Sequence, residues 1–210
     1  MAIAKDIQIP KMSSNWAYVL GFLSADGYIA PSGISIQLQQ RDSELLEEMA
    51  GWFRSLGWSP KMDIRVIGSK QYVRLRIHSV KLSRVINSCY GIPQNKSKVL
   101  TWPQNVLDRY LWDYVRGYTD GNGGLYVRRN QIEVQLHSGS EVFLQQLTDR
   151  VEHALELRPK RISPHGGCYR VSYYGREARA LCAAVYTQEG LKLKRKLLTY
   201  QQFMQSRLEH

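Results

Sequence analysis

Asp26 and Asn122 carry oxygen donors at matching places in the chain: each ends a copy of one repeated segment, and each is followed by glycine. Ala17-Tyr18-Val19-Leu20-Gly21-Phe22-Leu23-Ser24-Ala25-Asp26-Gly27-Tyr28 returns as Trp112-Asp113-Tyr114-Val115-Arg116-Gly117-Tyr118-Thr119-Asp120-Gly121-Asn122-Gly123-Gly124, at an offset of 96 residues. A carboxylate is a good ligand for a hard divalent cation and a neutral amide a far weaker one. A cation held against a phosphodiester activates water and stabilises the charge that develops as the strand is cut. Two acids at neighbouring helix C-termini repel each other, so a cation between them is the expected use of such an arrangement. Taken alone, Asp26-Gly27 reads equally well as a plain turn after a helix; the repeat tips the reading toward chemistry.

The elements that must position these donors repeat too. Residues 14–25 have apolar positions at helical spacing, with Ser13 or Ser14 as cap, and stop at Asp26-Gly27. Gly21 and Ala25 lie four apart on one helix face, as do Gly117 and Gly121 in the second copy. Faces of that kind let two helices pack backbone against backbone, which brings residues 26 and 122 together. Residues 28–39 alternate as a half-buried strand region, 43–56 form an amphipathic helix, 61–67 and 71–78 pair around Gly68-Ser69-Lys70, and 79–90 form another helix. The second copy gives a helix over 109–121, strands over 125–129 and 131–137, a helix over 140–155, strands over 160–164 and 168–174, and a helix over 176–187. A last helix covers 195–207, and Trp102-Pro103 marks the join within residues 100–105. The class expected is α+β: two pseudo-symmetric αββαββα units with antiparallel sheets, the halves being residues 1–100 and 101–207. Residues 208–210 read as a tag remnant.

An antiparallel sheet can bury one face and leave the other wet. Gln37, Gln39, Arg41, Arg65, Arg74 and Arg76 in the first half are expected on the wet face. Arg128, Arg129, Gln135, His137, Lys160, Arg161 and Arg170 answer them in the second. Such side chains suit phosphates and base edges, and two adjoining sheets make a saddle that can track a duplex. Lys plus Arg number 29 against 18 for Asp plus Glu, a net charge of +11, which attracts a polyanion. No apolar run approaches the length of a membrane span, and the first residues lack the apolar core of a secretory signal. Cys89, Cys168 and Cys182 are far apart and read as small buried hydrophobes in a reducing compartment, so an intracellular site, cytoplasm or organelle matrix, is expected.

The repeated helix resembles the LAGLIDADG motif of homing endonucleases and related RNA maturases: Val19 to Gly27 read VLGFLSADG, and Val115 to Gly123 read VRGYTDGNG. The resemblance implies a monomer of the two-motif type acting as a metal-dependent DNA endonuclease, with Mg²⁺ (Mn²⁺ as an alternative) on a long asymmetric duplex. It places the metal site at Asp26 and Asn122 with Ala25 and Gly121 beside them, and the helix interface at Gly21, Ala25, Gly117 and Gly121. It also assigns supporting catalytic roles to Gln40, with Ser138 opposite, and to Lys98 with Lys194 or Lys196. The chain departs from the motif at Asn122, where a carboxylate is the rule. Asp120 is two residues earlier, pointing about 200° away around a helix, and is not expected to substitute. Three readings of Asn122 stand open: an enzyme with one impaired site or a nicking activity, a natural binder that lost cleavage, or an engineered Asp→Asn change that traps uncut DNA. Beside the endonuclease stand two other functions, a non-cleaving DNA-binding or regulatory protein and a group I intron RNA maturase.

Overall fold

The computed structural model describes residues 8–187 and 189–207, so the expected tag remnant at 208–210 lies outside them. The elements run in chain order α1 (Ser14–Asp26), β1 (Tyr28–Ala30), β2 (Gly33–Gln39), α2 (Ser43–Ser55), β3 (Lys61–Ile67), β4 (Lys70–His78) and α3 (Val80–Tyr90). Then follow α4 (Leu111–Asn122), β5 (Gly123–Arg128), β6 (Gln131–Ser138), α5 (Glu141–Ala154), β7 (Ser163–His165), β8 (Cys168–Tyr174), α6 (Gly175–Tyr186) and α7 (Lys194–Ser206). Each half holds one four-stranded antiparallel sheet, ordered β1-β2-β4-β3 and β5-β6-β8-β7. The expected class, two pseudo-symmetric αββαββα units, is the one observed.

Three differences from the sequence reading have local causes. The strand region 28–39 is a hairpin, because the chain turns at Pro31-Ser32. The strand expected over 160–164 shrinks to Ser163–His165: the amide of Lys160 is drawn to Glu152 Oε1 at 2.8 Å, which takes the chain out of the sheet ladder. Short 3-10 turns at Gln40–Asp42, Lys96–Lys98 and Asp108–Tyr110 have no periodicity to announce them.

Serine hydroxyls start three helices: Ser13 accepts from Trp16 N, Ser79 from Leu82 N and Ser140 from Phe143 N. Replacing Ser79 by Ala leaves the Leu82 amide without its acceptor, and should lower stability by about 1 kcal/mol in urea denaturation.

The helices α1 and α4 lie at the centre. Residues Trp16 through Ser24 of α1 are buried without exception, so this helix is apolar nearly all round, as a helix enclosed on every side must be. Its packing partner α4 is buried from Asp113 through Asp120. The glycines explain the closeness. A Cβ built on Gly21 would stand 2.1 Å from the Tyr114 carbonyl oxygen, and one on Gly117 would stand 2.0 Å from that of Tyr18. At the helix ends, a Cβ on Gly121 would meet the Ala25 Cβ at 2.6 Å and the Asp26 amide at 3.5 Å. The sheets close over this pair through Ile34, Ile36, Val73, Leu75 and Ile77 in one half and Ile132, Val134, Leu136, Val171 and Tyr173 in the other. Of the cysteines only Cys182 is buried; Cys89 is exposed and Cys168 half-exposed, contrary to the expectation that all three pack inside.

Candidate nucleic-acid interface

Strand register decides which side chains share the face turned away from the helices. On the first sheet, Gln37 lies opposite Arg74, Gln39 opposite Tyr72 and Ser35 opposite Arg76. On the outer side of β4, Asp63 faces Arg74, Arg65 faces Tyr72 and Lys61 faces Arg76. The second sheet sets Arg128 opposite Gln131, Gln135 opposite Ser172, and His137 opposite Arg170. So Gln37, Gln39, Arg65, Arg74 and Arg76 share one polar face, and Arg128, Gln135, His137 and Arg170 share the other. Arg41 sits in the 3-10 turn after β2 with its side chain exposed, and Arg129 in the β5–β6 turn at a φ of 47°. Arg161 is exposed ahead of β7. Lys160 reaches to Glu177 of α6 at 2.6 Å, toward the helix layer.

An ion cluster on the first sheet escaped the sequence reading. Asp63 Oδ2 lies 3.0 Å from Arg74 Nη2 and 3.9 Å from Arg65 Nε, and its Oδ1 lies 3.0 Å from Arg76 Nε. Hydrogen bonding from Arg74 holds the Asp63 carboxyl below the usual carboxylate range. On the second sheet Glu133 is buried and accepts from Gln135 Nε2 at 2.5 Å.

The helix ends differ from one another. Asp26 reaches the surface with its neighbours crowded around it, and the loss of water raises its pKa while the Lys96 ammonium pulls it back. Asn122 is exposed, and its Nδ2 donates to the His137 carbonyl at 2.9 Å, an oxygen that also accepts from Tyr118 Oη at 2.5 Å. Asp120 points inward, as the helical period requires. It is buried, accepts from Tyr18 Oη at 2.8 Å, Tyr186 Oη at 2.9 Å and Leu193 N at 2.8 Å, and has its pKa raised by burial.

Two buried lysines close the helix ends. Lys96 Nζ donates to the Gly27 carbonyl, and Lys196 Nζ donates to the carbonyls of Thr119 at 2.5 Å, Asp120 at 3.1 Å and Gly123 at 2.7 Å. Gly27 and Gly123 are repeat equivalents, so the two ammonium groups occupy matching places. Burial lowers the Lys196 pKa to about 8. Ammonium groups at these ends offset the negative poles of both helices, a task the sequence reading gave to a bound cation. Lys98 is exposed on the 96–98 turn, and Lys194 pairs across the halves with Glu44 and Glu48. Gln40 is exposed in the 40–42 turn; Ser138, its partner in the repeat, is buried and accepts from the Ser140 amide at 3.0 Å.

What lands Lys196 there is a network built around Arg116, a buried guanidinium. It donates to the carbonyls of Leu191 at 2.8 Å, Val185 at 3.2 Å and Glu189 at 3.1 Å, and to Asp113 Oδ1 at 2.7 Å. Together with Leu193 N on Asp120 it pins the segment leading into α7 to α4. Arg195 then bridges to Asp42 of the first half through two contacts of 3.2 Å.

A cavity of about 330 Å³ opens where the halves meet, with Asp26, Gln37, Gln39 and Tyr72 on one side and Gly121, Tyr126, Arg195 and Lys196 on the other. For a hard cation these helix ends provide one side-chain carboxylate, Asp26, while the Asn122 amide is engaged with His137. Among the described residues no group of three His, Cys, Asp or Glu could hold a metal ion. The residues therefore do not fit a pair of cations shared between two carboxylates.

No protein-family model matches this chain, and no curated protein does. Solved structures do. The full-length DUF199/WhiA protein from Thermatoga maritima is 14% identical with a TM-score of 0.62, the match covering 96% of this chain and 63% of that one. This chain thus spans less than two thirds of that protein. The homing endonuclease I-WcaI bound to its DNA recognition sequence is 10% identical with a TM-score of 0.63, covering 90% of this chain and 88% of that one. I-DmoI in complex with DNA and Ca is 15% identical with a TM-score of 0.59, covering 89% and 97%. The fold is LAGLIDADG-like and of the two-motif type. It is shared by homing endonucleases and by DUF199/WhiA, and likeness at these identities assigns the fold and not the activity. Among the described residues no helix is long and apolar enough to cross a membrane.

Proposed function

We propose that this chain binds one long, asymmetric stretch of double-stranded DNA along the polar faces of its two sheets, as a monomer, and holds it without a complete two-cation cleavage centre. The observation that carries this reading is the unlike pair of helix ends, Asp26 on one side and, on the other, Asn122 committed through its amide to the His137 carbonyl. Supporting it are the net charge of +11, the arginine and glutamine side chains on the strand faces, and the likeness of the fold to I-WcaI bound to its DNA recognition sequence. Lys96 and Lys196 already counter the helix ends, so binding needs no divalent cation. Gln37, Gln39, Arg65, Arg74, Arg76, Arg128, Gln135, His137 and Arg170 are the side chains assigned to DNA.

A second reading, a homing-type endonuclease that nicks or cuts slowly with Mg²⁺ or Mn²⁺, rests on Asp26, a carboxylate set at the midpoint between the sheets. Binding of a labelled pool of random duplexes in EDTA and in Mg²⁺, followed by incubation with supercoiled plasmid carrying a selected site, separates the two. Equal affinity in both buffers and an intact plasmid are expected; nicked circles that form only with the metal would favour the second reading. If six or more phosphates are engaged, log Kd against log salt should have a slope of about 5 or steeper. A flat salt response would remove duplex binding altogether.

A further inference from the structure

On the polar face of the first sheet, one carboxylate stands among three arginines. Arg74 presents Nε and Nη2 to Asp63 at 3.4 and 3.0 Å, a side-on clasp that fixes the plane of its guanidinium. Arg76 Nε lies 3.0 Å from Asp63 Oδ1 as an ion pair without hydrogen-bond geometry, and Arg65 Nε lies at 3.9 Å. The Asp63 side chain is 30% exposed and that of Arg74 21%, so both reach the surface without being free to wander over it. Strand register puts Gln37, Arg74 and Asp63 in one row across the sheet.

An unrestrained arginine on a DNA-facing surface finds a phosphate and carries no sequence information. A carboxylate in the same patch is repelled by phosphate, and it lowers the charge available for indiscriminate binding. It therefore lowers affinity for every duplex unless the duplex offers it a donor. In the major groove the base-edge donors are the N4 amino group of cytosine and the N6 amino group of adenine. Only in a G·C pair does the donor lie beside the paired O6 and N7 acceptors of guanine, which arginine matches in bidentate fashion. An arginine and an aspartate set directly opposite each other on neighbouring strands complement that edge.

We propose that Asp63 is a specificity-determining residue: with Arg74 and Arg76 it reads G·C pairs in the half of the target that lies under the first sheet. The inference rests on the duplex-binding reading above and adds to it which bases one half prefers. The second half has no counterpart, because β7 is only three residues long and the place opposite Ser172 on that side has no strand partner. Its polar face carries Glu133, Gln135, His137 and Arg170 instead, so the two half-sites differ in sequence.

The test is selection from a randomised duplex pool by the intact chain and by Asp63→Asn, with anisotropy titrations of the selected and random pools and a thermal melt of each protein. The wild type should enrich adjacent G·C pairs in one half-site. Asp63→Asn, melting normally, should lose that preference by about tenfold and keep the preferences of the other half. It should also bind random duplex more tightly, with a salt dependence steeper by about one unit. An unchanged preference in Asp63→Asn, or enrichment of A·T pairs at the affected positions, would overturn the assignment. Tight duplex binding by the wild type with no sequence enriched overturns it as well, while leaving duplex binding in place. Failure of the wild type to bind any duplex removes the underlying reading too.

Discussion

Gly117→Ala is expected to lose about 3 kcal/mol or more of stability in urea or thermal denaturation. The added Cβ would stand 2.0 Å from the Tyr18 carbonyl oxygen and 2.9 Å from the Phe22 amide nitrogen. Both are backbone atoms inside a helix, so neither can rotate aside; α1 and α4 must separate. Separation is costly because both helices are enclosed. Trp16, Tyr18, Phe22, Tyr114 and Tyr118 are all buried, and pushing the axes apart opens voids around each of them. The Tyr18–Asp120 hydrogen bond runs across the same interface and would lengthen with it. Gly21→Ala should behave alike, its Cβ meeting the Tyr114 carbonyl oxygen at 2.1 Å. The contrast is Gly51 in α2, where a Cβ meets nothing within 4 Å. Gly51→Ala should raise stability by about 0.5–1 kcal/mol through helix propensity alone. A Gly117→Ala protein that melts with the wild type would mean the two helices are not in backbone contact, and the juxtaposition of residues 26 and 122 would go with it.

These glycines were legible because they recur at a fixed offset, and a spacing of four on a helix has only one geometric meaning. The same holds for Asp120, which a period of 3.6 residues turns away from Asn122 and which is found bonded to Tyr18, Tyr186 and Leu193. The alternation of Ile34, Ile36 and Leu38 likewise fixes which face Gln37 and Gln39 share. Features that depend on pairing between distant segments were not legible. Asp63 lies opposite Arg74 only because a tight turn at Gly68-Ser69 sets the β3–β4 register; one residue of slip would send it to the other face. Lys96 reaches the end of α1, where Lys98 does not, because the 96–98 segment is a single 3-10 turn, which leaves no hydrophobic period to read. The placement of Lys196 follows from Arg116 binding the Val185 carbonyl at the end of α6 and two carbonyls of the segment that leads into α7, contacts to main-chain atoms that no residue identity encodes.

Asn122→Asp is expected to convert the helix ends into a cation site. In EDTA the variant should be less stable than the wild type by about 1–2 kcal/mol. The amide that donates to the His137 carbonyl at 2.9 Å becomes a carboxylate facing an oxygen, and a second negative charge joins Asp26 where the helices abut. Lys96 and Lys196 soften that repulsion but are occupied with main-chain carbonyls. Mg²⁺ should then stabilise the variant, by about 2.7 kcal/mol at a hundred times its Kd, and leave the wild-type melting temperature nearly unchanged. On a plasmid carrying a selected site, double-strand cleavage by the variant with Mg²⁺ should exceed that of the wild type by at least about tenfold. The stability measurement and the cleavage measurement answer different questions. Mg²⁺-dependent stabilisation without cutting would mean that the ends hold a cation but that no phosphodiester is brought to it. If Mg²⁺ neither stabilises Asn122→Asp nor elicits cutting, these ends are not a cation site even with both carboxylates. The abutting helices would then serve to set the spacing of the two sheets and nothing more.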